Sequence, residues 1–342
     1  MKNILITGAS GFIGSFFVEE ALKRGWKVWA GVRRSSSHEF LTDSAIHFID
    51  LDYEQTDVLV RQVEDYAAEN GKWDYVIHCA GITKSTADSD FERINNIQTR
   101  HLIDVLISSG NTPEKFVFMS SLSVLGPGDE IHDIIPFSLE DTPKPNSAYG
   151  KSKIHAEQYL QSQTDFPYII LRPAGVYGPR EKDYYIMVKM VNLGLDVAVG
   201  FKPQHLNFIY IKDLVQVCFS AIDSSLKNKV WFVADGDTYT SQEYTAIIKG
   251  VLNKKHVLKI TFPLWFVRFV SVFSGLFCKI TGKPSLLNPD KIKIIKQRNW
   301  SCNISSLESD LGFKAKYKLR EGMEETVRWY RENGWLSMNR NP

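Results

Sequence analysis

The sequence contains little cysteine, and its four cysteines are scattered. Cys79, Cys218, Cys278 and Cys302 form no C-x-x-C pair. Zinc sites and disulfide frameworks need closely spaced cysteines, so we predict neither a metal site nor disulfides. A reducing compartment such as the cytoplasm fits this pattern. The first predicted strand begins at Asn3, which leaves no room for a signal peptide before it.

An excess of charge of either sign is also missing. The chain has 41 Lys and Arg residues against 39 Asp and Glu residues, which gives a formal net charge of +2. Nucleic-acid-binding proteins usually carry a basic excess, so we expect no nucleic-acid partner. The sequence shows no internal repeats or low-complexity tracts. Its 342 residues suffice for one large domain or two lobes.

Long hydrophobic runs are missing except for one, at residues 262–280 (FPLWFVRFVSVFSGLFCKI). The run is about as long as a minimal membrane span, but Pro263 and Arg268 argue against spanning. On a helix its large side chains would form one wide apolar stripe. The sequence leaves two alternatives open: a helix that is buried or forms a dimer contact, or a lid or peripheral membrane contact that admits a lipophilic substrate.

A glycine-rich turn stands at the start of the chain. Residues 4–7 predict a buried strand, glycines follow at 8, 11 and 14, and apolar residues then recur at helical spacing. The G-x-x-G-x-x-G spacing is one residue longer than the commonest dinucleotide fingerprint. Such a turn lets backbone N–H groups face a pyrophosphate. The candidate cofactor-binding residues here are Gly8, Ser10, Gly11, Phe12 and Ile13.

Strands and helices then alternate as far as about residue 171. Further strands are predicted at 27–32, 46–49, 75–78, 115–119 and 168–171. This alternation predicts an α/β fold with a Rossmann-type, doubly wound parallel sheet.

Ligands in such sheets bind beyond the carboxyl ends of the strands. We therefore expect Asp50 and Leu51 to flank the adenine, and Ala80 and Gly81 to approach the rest of the dinucleotide.

The alternation loosens after Arg180, which suggests a second lobe. We predict a nucleotide-binding domain at 1–180, to which residues 205–237 return. Residues 181–204 and 238–342 would form a smaller, mostly helical C-terminal substrate-binding lobe.

The second predicted strand indicates which nucleotide is bound. In NAD-binding versions of this fold an acidic residue ends that strand and binds the ribose 2′-hydroxyl. Here Arg33 and Arg34 follow the strand instead. Guanidinium groups bind phosphate through paired hydrogen bonds, so NADP(H) is favoured and NAD(H) is the alternative.

Tyr149 and Lys153 form the candidate acid–base pair. They are four residues apart on a predicted helix and so share a face. A phenol has a pKa of about 10, which a nearby ammonium lowers. We therefore predict that Lys153 tunes Tyr149 for proton transfer, while Ser121, just past the fifth strand, polarises the same substrate oxygen.

These motifs resemble the extended branch of the short-chain dehydrogenase/reductase family. That branch includes nucleotide-sugar epimerases and dehydratases, dihydroflavonol reductases and 3β-hydroxysteroid dehydrogenases. The matching stretches are ITGASGFIG at 6–14, DYVIHCAG at 74–81, FVFMSSLSVLG at 116–126, SAYGKSKIHAE at 147–157, LRPAGVYGP at 171–179 and NFIYIKDL at 207–214.

The resemblance implies roles for particular residues. Ser121, Tyr149 and Lys153 would be the catalytic triad, and Asn95 would be structural. The segment from Pro173 to Val176 would pass under the nicotinamide. Related proteins pair through the helices expected at 90–109 and 148–163, so the resemblance also implies a homodimer.

Two departures from the family pattern bear on the substrate. Leu206 occupies the position of an arginine that binds diphosphate in sugar-nucleotide members, and Leu125 replaces a usual tyrosine. We therefore expect an NADP(H)-dependent oxidoreductase that interconverts a ketone and a secondary alcohol on a small hydrophobic substrate, such as a steroid, a lipid ketone or a flavonoid-like molecule.

Two other functions stay open. One is a redox-neutral nucleotide-sugar epimerase or dehydratase with tightly bound NAD. Leu122 and Ser123 stand where a dehydratase carries carboxylates, which argues against dehydration. The other is a non-catalytic NADP sensor, which would more commonly have lost Tyr149 or Lys153.

Overall fold

A computed structural model describes residues 1–128, 134–267, 269, 293 and 296–337. Its strands are β1 (Asn3–Thr7), β2 (Lys27–Gly31), β3 (Ile46–Ile49), β4 (Tyr75–His78), β5 (Lys115–Met119), β6 (Tyr168–Pro173), β7 (Gly175–Tyr177), β8 (Leu195–Val199), β9 (His205–Leu206), β10 (Phe208–Tyr210), β11 (Lys229–Val233), β12 (Tyr239–Thr240), β13 (Leu258–Phe262) and β14 (Asn299–Trp300).

Helices alternate with these strands in the first half of the chain. The α-helices of the described residues are α1 (Phe12–Lys23), α2 (Thr56–Asn70), α3 (Asp88–Phe91), α4 (Gln98–Ser108), α5 (Ala148–Ser162), α6 (Asp183–Asn192), α7 (Ile211–Asp223), α8 (Ser241–Val251), α9 (Ser305–Leu311) and α10 (Leu319–Glu332).

The main sheet has seven parallel strands in the order β11-β6-β5-β4-β1-β2-β3. The strand β1 lies between β2 and β4, and all five of its residues are buried. Its apolar run is continuous rather than alternating because both faces are covered. Leu5 packs into a core with Trp73, Leu102 and Phe116. The predicted Rossmann-type fold class is confirmed.

The helix expected at residues 90–109 is interrupted. A π-helical turn at Glu92–Ile97 separates α3 from α4. Such turns hold one extra residue and frequently occur at functional sites. Asn95 lies within this turn, and its buried amide bonds a neighbouring loop.

The contacts divide the chain into two units. The first comprises residues 1–124, 148–172 and 215–231, and the second comprises 125–147, 173–214 and 232–342. The division into a nucleotide-binding domain and a substrate-binding lobe stays a prediction.

Within the second unit, residues 125–147 are held by the segment near residue 300. The side chain of Gln297 donates to the carbonyl of Gly126 at 2.7 Å, and Phe137 N–H donates to Ser301 O at 2.9 Å.

The described part of the second unit contains short strands as well as helices. The strand β9 lies between β12 and β14, and β13 pairs in parallel with β8. Two-residue strands such as β12 and β14 are too short to show a period, so the expectation of a mostly helical lobe at 181–204 and 238–342 did not include them.

The apolar run falls mostly outside the described residues, which exclude 268 and 270–280. Among the helices that the structure describes, none is long and apolar enough to cross a membrane.

Candidate active site

The glycine turn brings backbone against backbone at the carboxyl end of β1. Gly8 has φ +65°, and a Cβ on it would lie 2.8 Å from backbone atoms of Cys79 and Ala80. A Cβ on Gly14 would lie 2.3 Å from the carbonyl oxygen of Gly8. Gly11 N–H donates to that same oxygen at 3.0 Å. Only glycine satisfies these approaches, and they shape a backbone-lined cradle.

The helix α1 begins at this cradle without a side-chain cap at Gly11. Its first N–H groups therefore keep their capacity to bind an anion. Residues Gly8, Ser10, Gly11, Phe12 and Ile13, which the sequence nominated, lie together on the turn and the first residues of α1.

A second close approach occurs after β4. A Cβ on Gly81 would lie 2.8 Å from Oδ1 of Asn95 and 3.4 Å from Nζ of Lys153. Gly81 therefore lets the loop after β4 pack closely against Asn95 and near Lys153. The glycines at 8, 14 and 81 allow this close packing, and the uncapped N-terminus of α1 beside them fits the pyrophosphate of a dinucleotide cofactor.

A buried histidine connects the glycine turn with the helices behind it. Nδ1 of His78 lies 2.8 Å from the Thr7 hydroxyl, which accepts from Ala80 N–H at 3.1 Å. Nε2 of His78 lies 2.9 Å from the Thr99 hydroxyl, which donates to the carbonyl of Asn95. These partners require Nδ1 to accept and Nε2 to donate. Burial lowers the pKa of His78 to about 3, so the ring is neutral at physiological pH.

The side chain of Asn95 extends this network to the catalytic helix. Its Oδ1 accepts from Ile82 N–H at 2.8 Å, and its Nδ2 donates to Ile82 O and to the Ser152 hydroxyl. Ser152 in turn donates to the carbonyl of Tyr149 at 2.8 Å. Asn95 therefore holds the loop after β4 against α5.

The structure places the side chain of Ser121 close enough to Tyr149 to act on its phenol. Ser121 Oγ lies 3.1 Å from Ser123 Oγ and accepts from Ser123 N–H at 3.2 Å. Burial raises the pKa of Tyr149, while the interaction with Ser121 acts in the opposite direction. The expectation of a lowered phenol pKa therefore fails here, because burial outweighs the effect of Ser121.

Lys153 is buried in the same helix, one turn from Tyr149. Its Nζ donates to the carbonyl of Met119 at 2.9 Å and lies 4.8 Å from the ring centroid of Phe118. Burial lowers the pKa of Lys153 to about 8, against the opposing effects of Cys79 and Glu157. A lysine whose pKa is near neutrality is typical of a functional site.

The sequence reasoning missed a buried ion pair beside this lysine. Arg172 Nη2 lies 2.6 Å from Oε2 of Glu157, and its Nε lies 3.1 Å from both carboxylate oxygens. The Ser120 hydroxyl donates to the same carboxylate. The only signal in the sequence was Glu157, one turn after Lys153 on the helix.

The candidate nucleotide-selecting residues lie on an exposed turn after β2. Arg34 N–H donates to Oδ2 of Asp50 at 3.2 Å, and its Nε lies 3.7 Å from that oxygen. The backbone of Arg33 bonds with Ser36. Within the part of the chain that the structure describes, no carboxylate pairs with the exposed Arg33 guanidinium. Asp50 thus shapes this turn, and Leu51 beside it is buried.

The remaining nominated positions lie in the second unit. Pro173 ends β6, and Val176 pairs with Ile209 of β10. Leu206 lies on the central strand of a three-stranded sheet, in register with Tyr239 on one side and Trp300 on the other. An aromatic residue thus lies beside Leu206 on each neighbouring strand.

Among the residues that the structure describes, no group of three or more His, Cys, Asp or Glu side chains could hold a metal ion.

Known proteins similar to this chain over most of its length include enzymes. The sterol-4-alpha-carboxylate 3-dehydrogenase (decarboxylating) of Dictyostelium discoideum is 26% identical over 341 residues, which cover 95% of this chain and 100% of that protein. The UDP-glucose 4-epimerase of Vibrio cholerae is 28% identical over 339 residues, covering 95% and 94%.

Solved structures share the fold. The UDP-glucose 4-epimerase of Thermotoga maritima, solved with UDP-glucose, superposes with a TM-score of 0.78 at 22% identity and covers 97% of this chain and 99% of that one. The dTDP-glucose 4,6-dehydratase of Bacillus anthracis, solved with NAD, gives 0.75 at 20% identity and covers 98% of each chain.

A family model covers most of the chain. The model described as the NAD dependent epimerase/dehydratase family matches residues 4–234, which include the glycine turn, Ser121, Tyr149 and Lys153. The chain therefore belongs to the NAD dependent epimerase/dehydratase family, within the extended short-chain dehydrogenase/reductase type that its motifs indicated.

Proposed function

We propose that this protein is an NADP(H)-dependent oxidoreductase that interconverts a ketone and a secondary alcohol on a hydrophobic substrate. The observation that carries the proposal is the placement of Ser121 beside Tyr149, with Lys153 buried one turn away on the same helix. The glycine turn and the uncapped N-terminus of α1 would bind the pyrophosphate of the dinucleotide.

Each residue of the site has a separate role in the proposed reaction. When bound, the nicotinamide accepts or supplies the hydride. Ser121 holds the substrate oxygen by a hydrogen bond. In the reducing direction the Tyr149 O–H bond breaks as a new O–H bond forms on that oxygen. Ser121 and the Lys153 ammonium stabilise the phenolate that is left.

The pKa directions suit reduction. Burial keeps the Tyr149 phenol protonated at neutral pH, so it is ready to donate. Lys153, with a pKa of about 8, carries its charge at neutral pH and can stabilise the phenolate as it forms.

The preference for NADP(H) rests on Arg33. Its guanidinium is exposed on the turn after β2, where NAD-binding members of this fold carry an acidic residue. A free guanidinium there can bind a 2′-phosphate by paired hydrogen bonds.

The hydrophobic substrate class rests on Leu206 and its neighbours. A leucine between Tyr239 and Trp300 cannot neutralise a diphosphate, but it can pack against an apolar ring system or chain. Among similar proteins, a ceramide reductase of Caulobacter vibrioides is 24% identical over 348 residues, covering 98% of this chain and 96% of that protein.

A redox-neutral sugar-nucleotide epimerase is the second candidate. The similarity to the epimerase of Vibrio cholerae favours it. An epimerase restores its cofactor in each turnover and retains it, whereas a net reductase must exchange it. The nucleotide released on denaturation therefore distinguishes the two.

The decisive experiment has two steps. The purified protein is denatured and the released nucleotide identified, and the emptied protein is then titrated with NADPH and NADH. We expect exchangeable binding with preference for NADPH. Tightly retained NAD would overturn the reductase proposal in favour of the epimerase.

The mechanism is tested by Tyr149→Phe. We expect turnover to be lost while the dissociation constant for NADPH stays near that of the wild type. Tyr159→Phe on the same helix is the matched control and should keep full activity. Turnover by the Tyr149 variant would refute the assigned proton transfer.

A cytoplasmic location and assembly as a homodimer stay predictions. Sedimentation velocity of the purified chain tests the second.

A further inference from the structure

Exposed large apolar side chains gather on one small element of the second unit. The strands β8 and β13 form a two-stranded parallel ribbon of their own. Leu193, Phe201, Leu258 and Trp265 lie on it or a few residues beyond its ends and are 65%, 77%, 64% and 70% exposed. Apart from these four, only Met1, Ile135 and Phe269 among the described large hydrophobic residues are more than half exposed.

Specific contacts assemble this surface. Gly200 N–H donates to the carbonyl of Phe262 at 2.9 Å, and a Cβ on Gly200 would lie 3.9 Å from Leu264. Phe201 is therefore next to the turn that carries Trp265. At the other end Leu258 N–H donates to Gly194 O at 2.8 Å, which brings Leu258 beside Leu193. The apolar side chains thus occupy both ends of one ribbon.

The charge of the segment that carries β13 is of one sign. Residues 244–267 contain lysines at 249, 254, 255 and 259 and no Asp or Glu, and the next acidic residue is Asp290. Lys202 follows Phe201 directly and is exposed. Asp196 on β8 is the acidic residue paired with Lys259 of β13, and its carboxylate accepts a hydrogen bond from the Thr245 hydroxyl.

We propose that this ribbon is a docking surface for a membrane whose surface carries anionic lipid. Exposed Trp, Phe and Leu side chains insert at the level of the headgroups, and lysines beside them are attracted to anionic lipid. A second copy of the chain would bury the apolar residues equally well. The lysines favour lipid, because a twofold contact would bring them against their own copies.

The experiment measures co-sedimentation of the full-length protein with vesicles. Vesicles of phosphatidylcholine alone are compared with vesicles that also contain phosphatidylglycerol. We expect binding to the anionic vesicles, weakened by salt. Replacing Lys202 or Lys255 by Gln should lower the partition coefficient about fivefold each. Lys144→Gln, an exposed lysine elsewhere in the second unit, is the charge control.

The apolar part is tested by Phe201→Ser combined with Trp265→Ser. The double variant should lose vesicle binding while its thermal unfolding and NADPH binding stay unchanged. Ile135→Ser is the matched control, because Ile135 is equally exposed but lies outside the ribbon.

Three outcomes would overturn the proposal. They are absence of binding to anionic vesicles, binding that the double variant retains, and conversion of a dimer to a monomer by the double variant without any vesicle binding by the wild type. The last would assign the ribbon to a contact between copies. None of these outcomes bears on the reductase proposal, which is tested by the released nucleotide and by Tyr149→Phe.

Discussion

Replacing Lys153 by Met tests whether the candidate catalytic lysine is held at a cost to stability. Lys153 is 4% exposed, and burial lowers its pKa from 10.5 to about 8. At about 1.4 kcal/mol per pKa unit, this corresponds to ~3 kcal/mol of unfavourable free energy at neutral pH. Loss of the hydrogen bond to Met119 O would offset about 1–3 kcal/mol of the gain from removing the charge.

The pH dependence gives the sharper test. Between pH 8 and 10.5 the unfolded chain keeps the proton on Lys153, while the folded chain releases it. The unfolded state thus binds more protons, and the free energy of unfolding of the wild type rises with pH across this window. Lys153→Met lacks this rise. At pH 7 the free energy of unfolding of the variant should therefore equal or exceed that of the wild type. Relative to the wild type, it should fall by ~3 kcal/mol toward pH 10.5.

Urea denaturation of both proteins without cofactor, at intervals from pH 7 to 10.5, measures the difference. Lys151→Met is the control, because Lys151 is exposed on the same helix and its replacement should leave the pH profile unchanged. A constant difference between Lys153→Met and the wild type over this range would refute the reasoning. Turnover should be lost in the variant at every pH.

Three other substitutions test the site. Arg33→Ser should weaken NADPH binding about tenfold to a hundredfold with little effect on NADH, which fluorescence titration measures; equal effects on both would contradict the 2′-phosphate assignment. Arg172→Met should cost about 3–5 kcal/mol in denaturant unfolding because it leaves Glu157 buried and unpaired, and a cost near zero would show that the carboxylate finds another partner. His78→Leu should cost about 1–3 kcal/mol for each threonine hydroxyl left without its partner. The wild type should also lose stability as pH falls from 6.5 toward 3, since only the unfolded chain then protonates His78, and the variant should lack that decline.

The sequence predicted the sheet well because its signals are local. Continuous apolar runs predict buried parallel strands such as β5. The strands β3, β4 and β5 begin and end where the sequence placed them. The glycine turn was equally predictable from the sequence, because only glycine permits the close backbone approaches at positions 8 and 14. Tyr149 and Lys153 share a helix face, as their spacing required.

What the sequence could not give depends on partners far apart along the chain. Arg172 and Glu157 are fifteen positions apart and His78 joins Thr7 to Thr99, so no periodicity reveals either set. The raised pKa of Tyr149 likewise follows from burial, which spacing does not report. The ribbon of β8 and β13 joins strands about sixty residues apart and has no local signature.

The π-helical turn at Glu92–Ile97 makes the site sensitive to a single-residue length change. Removing one residue there would restore ordinary helical spacing and rotate the positions on one side of the deletion by about 100°. Either Asn95 would lose its hydrogen bond with Ile82, or Thr99 would lose its hydrogen bond with His78. A relative one residue shorter in this segment would therefore need a different way to brace the loop after β4. Alignments that place a gap here compare residues that face different neighbours.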